Sequence, residues 1–467
     1  MAKKRKRRRK SRGISVFLPV FLLTVSIGCV VLLVYWAVIG TQNRVAMAST
    51  KSWLEKVIGG ENGETDFGRE EISDRQETAK PENEAGLQAE GAAGQEAPPD
   101  SAEQMTEAAG MEAGGGGNEP SGEAVILQTL YDSGMFSPED KIYVKETASP
   151  EEVSVVFAGD ILFDDQYAVM AYLKQRGGAI ESSISGDCLE IMRGADIFMV
   201  NNEFPYSSRG EPTPDKKFTF RGKPEYASYL LDMGVDIVSL ANNHASDYGT
   251  VSLTDSIDVL NGIRMPFVGA GRNLEEAAKT AYFVANGMKI AVLSATQIER
   301  MENPATKGAT DTSPGVFRCL NIDRLLVEIR KAKQVSDFVI VYVHWGTEST
   351  DEIDWAQKEQ GPKIAEAGAD LIIGDHPHVL QPVGYCGDVP VIYSLGNFLF
   401  NSKAQDTCLV RAVLDAGGLK TLQFIPGRQE NCSVSMHYGA GKERVLSYMR
   451  GISPGVNIDA DGFITKK

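Results

Sequence analysis

Histidine is scarce in this chain, with five among 467 residues, whereas Asp and Glu together number 63. Cysteine is also rare. The six present include no C-x-x-C pair, which argues against a zinc knuckle and against a dense disulfide framework. One or two bridges remain compatible with an oxidising compartment. No Walker-type loop occurs, so a P-loop nucleotide site is excluded. Lys and Arg are absent from residues 81–124, and charge of either sign is absent from residues 14–40. Nine of the 47 basic side chains fall within the first thirteen residues, leaving 38 against 63 acids, a net charge of −25 downstream. So acidic a body excludes nucleic acid as a partner, because a phosphate backbone requires clustered Lys and Arg.

The uncharged run 14–40 exceeds the ~20 apolar residues that a helix needs to cross a bilayer. Tyr35 and Trp36 near its end suit the aromatic belt of a membrane interface, and the basic tail 1–13 should stay cytoplasmic. The expected protein is therefore held in the cell membrane by one transmembrane helix, with its C-terminal part extracytoplasmic. The rival reading is a cleaved signal peptide ending near Ala46-Met47-Ala48, but such peptides have an apolar region of only ~7–15 residues.

Residues 41–147 read as a disordered acidic linker. Positions 81–124 hold ten acids among Gly, Ala, Gln and Pro, with no sustained apolar period that could offset the entropy of ordering. A short helix is expected at 124–131. Residues 148–467 have globular texture. Apolar, β-branched runs at 153–158, 197–200, 235–240, 289–293, 338–343, 371–373 and 391–393 read as strands. Ile322, Leu325, Leu326, Ile329 and Ala332 keep helical spacing between two of them. Strands alternating with helices predict an α/β domain with largely parallel pairing.

Five of these runs end in polar clusters that a core would not favour: Gly159-Asp160, Asn201-Asn202-Glu203, Asn242-Asn243-His244, His344-Trp345-Gly346 and Gly374-Asp375-His376-Pro377-His378. In open α/β sheets, sites form beyond the carboxyl ends of strands. Four of the five histidines stand at these ends, and only His437 does not. One such histidine is usually a core residue bonded to backbone; four together with carboxylates point to a metal site. The spacing His376-x-His378 would put two imidazoles on one side of an extended segment. A donor set of His, carboxylate and amide suits Mn²⁺, Fe²⁺ or Zn²⁺.

The ordered motifs AGDILFDD, NNEFP, SLANNHASDYG, HWGTE, GDHPHVLQPV and YSLGNF, spread from residue 153 onward, resemble the CapA (PgsA) family of poly-γ-glutamate capsule proteins. The resemblance implies a metallophosphoesterase-like sandwich of two β-sheets flanked by helices. It also implies one or two divalent ions held by Asp160, Glu203, Asn243, His344, His376 and His378, with His244 as the proton donor to a leaving group. The chain departs from the phosphoesterase pattern in two places. Leu162 stands where D-x-H would supply a histidine, and Glu203 replaces a bridging aspartate. Asp375 replaces another histidine and could support an imidazole or simply be solvated.

Asp247 could orient His244 or cap the helix that follows it, and Trp345 could stack on substrate or pack in the core. Lys216, Lys217, Arg221 and Lys223 form the densest basic cluster outside the tail, and Lys217, Arg221 and Asn397 are the expected substrate contacts. Three functions fit these expectations. The first is capsule biosynthesis acting on poly-γ-glutamate or a similar anionic polymer, beside membrane-embedded polymerase or export subunits. The others are hydrolysis of an extracytoplasmic phosphate ester and a non-catalytic polymer-binding or export scaffold.

Overall fold

The computed structural model describes residues 141–299 and 306–467. The basic tail, the expected membrane helix, the short helix at 124–131 and most of the linker lie outside the described residues. Among the described residues no helix is long and apolar enough to cross a membrane.

Two mixed sheets face one another. In one, Met288–Thr296, Phe338–His344, Leu371–Asp375 and Val389–Ile392 run parallel in that spatial order. In the other, Val153–Ile161, Ile197–Asn202, Ile237–Ser239 and Phe267–Val268 do the same. Alternation along the strands builds three apolar layers, because successive side chains point to opposite faces. Val155 and Phe157 pack inward with Met199, Ile290, Ile340 and Ile373 between the sheets. Their neighbours Val156 and Ala158 face outward onto Leu173, Met192, Leu230 and Ile257 of the helices. On the far side Val339 and Val341 meet Leu325, Ile329 and Ala332 of the helix Asp323–Val335. The expected order of helix, sheet, sheet and helix is observed.

Three features differ from the sequence expectation. Ile142–Lys145, placed in the linker by composition, is a strand paired in parallel with Ala281–Ala285, and Lys145 forms an ion pair with Asp236 at 2.6 Å. The sheets are mixed rather than largely parallel. Gln405–Asp415, Gly418–Glu430 and Ser433–Met436 form an antiparallel meander that joins the second sheet through Val153–Ile161. The five described cysteines, Cys188, Cys319, Cys386, Cys408 and Cys432, are all buried and unpaired, so no bridge forms among them.

Candidate metal centre

The polar strand ends meet at one edge of the sandwich. Asp160 arrives there through an irregularity at Gly159, where the pairing with the neighbouring strand shifts register. A Cβ at Gly159 would stand 1.7 Å from the Gly396 carbonyl oxygen, so glycine is required for the strand Asn397–Leu399 to lie alongside. Glu203 follows its strand directly, His344 is the last residue of its own, and Asn243 sits in the turn after Ile237–Ser239.

His376 and His378 are not on an extended segment as their spacing suggested. Both have positive φ, 105° and 58°, in the turn after Leu371–Asp375. Non-glycine residues in this region cost about 1–3 kcal/mol each and persist where surrounding contacts enforce them. The turn still brings the two rings to 5.9 Å between centroids.

The donors converge. His344 Nε2 lies 2.8 Å from Asn243 Oδ1, 3.0 Å from His376 Nδ1 and 3.5 Å from Glu203 Oε1. His378 Nδ1 lies 3.0 Å from Asp160 Oδ2 and 4.0 Å from Glu203 Oε2, but its aligned acceptor is Asn397 Oδ1 at 2.9 Å. Two groups, Glu203–His376–His378 and Asp160–Glu203–His344, each bring their ligand atoms within 4.8 Å of one another. Asp160 Oδ2 and both Glu203 carboxylate oxygens are buried and receive no aligned hydrogen bond. Buried carboxylates without donors are expensive unless a cation sits among them. These residues fit a divalent ion.

The electrostatics follow from burial and crowding. Burial pushes the Asp160 carboxyl up, but His378 and His344 outweigh it and hold it down at about 2. Burial, then the Asp160 and Asp375 carboxylates, push Glu203 well above the usual range. Asp375 is raised in the same way by burial and Asp160, and it accepts a hydrogen bond from the Tyr342 hydroxyl at 2.8 Å. It is buried, not solvated. Burial lowers His344 to about 3 and holds His376 well below its usual value, so both imidazoles are neutral and able to ligate. Burial also lowers His378, but Asp160 and Asn397 overcome it and raise the ring.

His244 stands beside this cluster rather than in it. Its Nδ1 is 2.7 Å from Asp247 Oδ2, and burial lowers its pKa against the pull of Asp247. Asp247 does not cap the next helix, Thr250–Gly262, whose N-cap position is Gly249. Trp345 is fully buried, donates Nε1–H to the Tyr393 carbonyl at 3.0 Å and belongs to the core. Asn397 is inside the site through His378. Lys217 is exposed over the Phe218 ring at 5.1 Å, and Arg221 stacks on Tyr248 at 4.0 Å. Neither touches the donor cluster.

Sequence reasoning passed over Asn201 and Asn242. Asn201 Nδ2 donates to Asp160 Oδ1 at 2.6 Å, and Asn242 Nδ2 donates to Asn201 Oδ1 at 3.1 Å, fixing the carboxylate from behind. Their signal was amides at a buried strand end, visible in the run Asn201-Asn202-Glu203.

An imidazole, carboxylate and amide cluster at the strand ends of a mixed α/β sandwich flanked by helices defines a candidate divalent-metal protein. Residues 154–402 match the family described as Bacterial capsule synthesis protein PGA_cap, and the chain belongs to that family. It is 31% identical over 286 residues to the PGA biosynthesis protein CapA of Bacillus subtilis (strain 168), covering 60% of this chain and 73% of that protein. It is 31% identical over 245 residues to the capsule biosynthesis protein CapA of Bacillus anthracis, covering 50% and 58%. Among solved structures, TT1561 of Thermus thermophilus aligns over 61% of this chain and 98% of that one, at 11% identity and a TM-score of 0.32.

Proposed function

We propose that this is a membrane-anchored capsule-biosynthesis protein whose extracytoplasmic domain acts on poly-γ-glutamate, or a similar anionic polymer, at a divalent-metal site. The membrane-embedded polymerase or export subunits are its partners in that reading. One observation carries it: three buried carboxylate oxygens without aligned donors face the imidazoles of His344, His376 and His378, with His244 held by Asp247 alongside. Asp160, Glu203, Asn243, His344, His376 and His378 would hold Mn²⁺, Fe²⁺ or Zn²⁺, one ion or two. Such an ion polarises a carbonyl or phosphoryl oxygen and makes hydroxide available near neutral pH.

The side chains then divide the work. Asn201 and Asn397 aim Asp160 and His378. Asp247 accepts the Nδ1 proton of His244, which leaves Nε2 as the ring nitrogen that takes up a proton and delivers it to a leaving group. Burial favours the neutral ring, and the Asp247 carboxylate pulls the other way.

The test is elemental analysis of the full chain combined with turnover of poly-γ-glutamate and of phosphodiesters. Bound metal with polymer turnover, lost in His244→Gln with the metal retained, is expected. Turnover of phosphodiesters alone would replace the polymer with a phosphate ester. Bound metal with no turnover of either would leave a scaffold.

A further inference from the structure

The sequence singled out Lys217, yet the loop 213–220 turns the neighbouring lysine inward. The Lys216 side chain is 6% exposed, and its ammonium pairs with Asp247 Oδ1 and donates to the Asn243 carbonyl oxygen at 2.6 Å. The rest of the loop grips the same carboxylate and the same ring. Phe220 N–H donates to Asp247 Oδ2 at 2.7 Å, and the N–H of Thr213 donates to the Asp247 carbonyl at 2.7 Å. The Phe220 ring packs on His244 with centroids 4.2 Å apart. Lys216 also lines a pocket of about 350 Å³ together with Asn243, His376, Glu299, Thr306 and Glu348, so it stands at the space a substrate would fill.

We infer that Lys216 is a positioning residue that locks the Asp247 carboxylate and the Asn243 main chain together, thereby fixing the His244 ring relative to the metal-ligand cluster. Asp247 Oδ2 must serve both His244 Nδ1 and the Phe220 N–H, which demands one carboxylate rotamer. The ammonium on Oδ1 supplies that restraint from the other oxygen. A charge-assisted contact suits the task because it is short and strong where water is excluded. Its second contact, on the Asn243 carbonyl, lies one residue before His244, so the same cation holds the acid's backbone and the acid's partner.

This rests on the proposed function only in naming His244 as the proton-transferring group, and its test separates the two. With five histidines in the chain, the ¹⁵N ring resonances of the full-length protein can be assigned by comparison with His244→Gln. The wild-type ring should show a single Nδ1–H tautomer. Lys216→Met, which keeps length and loses charge, should give an averaged tautomer signal at His244 while His437 stays unchanged. Lys216→Gln, a second neutral replacement, should do the same and covers the case in which Lys216→Met does not fold. An unaltered His244 signal in either folded variant overturns the inference. Where turnover is present, Lys216→Met should lower kcat about tenfold or more at unchanged KM, part of the ~10²–10⁴-fold that acid–base assistance contributes. A raised KM with unchanged kcat would make Lys216 a substrate contact instead and equally overturn it. Absence of turnover in the wild type would sink the proposed activity and leave the tautomer measurement to decide Lys216.

Discussion

Phe157 and Asp160 stand three residues apart on the strand Val153–Ile161, and both are fully buried. Phe157 is packed between the sheets among apolar side chains, Met199 and Ile340 with it. Asp160 faces a second buried carboxylate, Glu203, and keeps one oxygen without an aligned donor. The same backbone thus stabilises the fold at its middle and strains it at its end. Burial by itself ranks neither residue. What matters is whether the buried atoms find partners inside the chain or must wait for one from outside.

The largest effect expected from this contrast is on stability at the middle of the strand. Phe157→Ala should destabilise the ion-free protein by about 3–5 kcal/mol, read from the urea midpoint. A loss below about 1 kcal/mol would mean that the inter-sheet layer is not a main source of stability. At the strand end the sign should reverse. Glu203→Gln should abolish metal binding, yet leave the ion-free melting temperature unchanged or raise it, because it removes one of the crowded carboxylates. A variant that melts lower without any ion present would erase the distinction between the two regions.

Proton linkage sharpens the same point. Metal ligands must be deprotonated, and Glu203 is raised by burial and by neighbouring carboxylates, while His378 is raised by Asp160 and Asn397. Ion binding therefore releases protons, and affinity should rise with pH through the raised pKa values. His344 and His376 are lowered and contribute no such dependence above them. Titration calorimetry in two buffers of different ionisation enthalpy measures the protons released, and a value of zero would contradict the assignment. The smallest effect should come from Asn397→Ala. It frees His378 Nδ1 without removing a ligand, and should weaken metal binding by roughly 10–100-fold with little change in melting.

Composition and periodicity carried a good deal of this molecule. Continuous apolar runs located the strands 153–158, 197–200, 338–343 and 371–373 because their residues are buried on both faces. The helix Asp323–Val335 was legible from one apolar stripe of Leu325, Ile329 and Ala332. The antiparallel meander was missed because Gln405–Asp415 and Gly418–Glu430 are partly exposed along their length, so their apolar signal is diluted. Ile142–Lys145 was missed for a different reason. Four residues beside an acidic linker cannot announce a strand whose only reason to form is the edge offered by Ala281–Ala285.

The site divides along the same line. The sequence by itself determined which residue types stand at the strand ends, since Asp160, Glu203, Asn243, His344, His376 and His378 are out of place in any core. Tertiary structure alone decided how they meet. Position 159 must be glycine because the Gly396 carbonyl, 237 residues away in the chain, packs against it, and the positive φ of His376 and His378 replaces the extended geometry that their spacing implied. The choice of Lys216 over Lys217 was likewise invisible in a line of text. Two adjacent lysines have the same chemistry, and only the fold, by placing Asp247 and the Asn243 carbonyl on one side of the loop, gives one of them a buried partner and leaves the other in water.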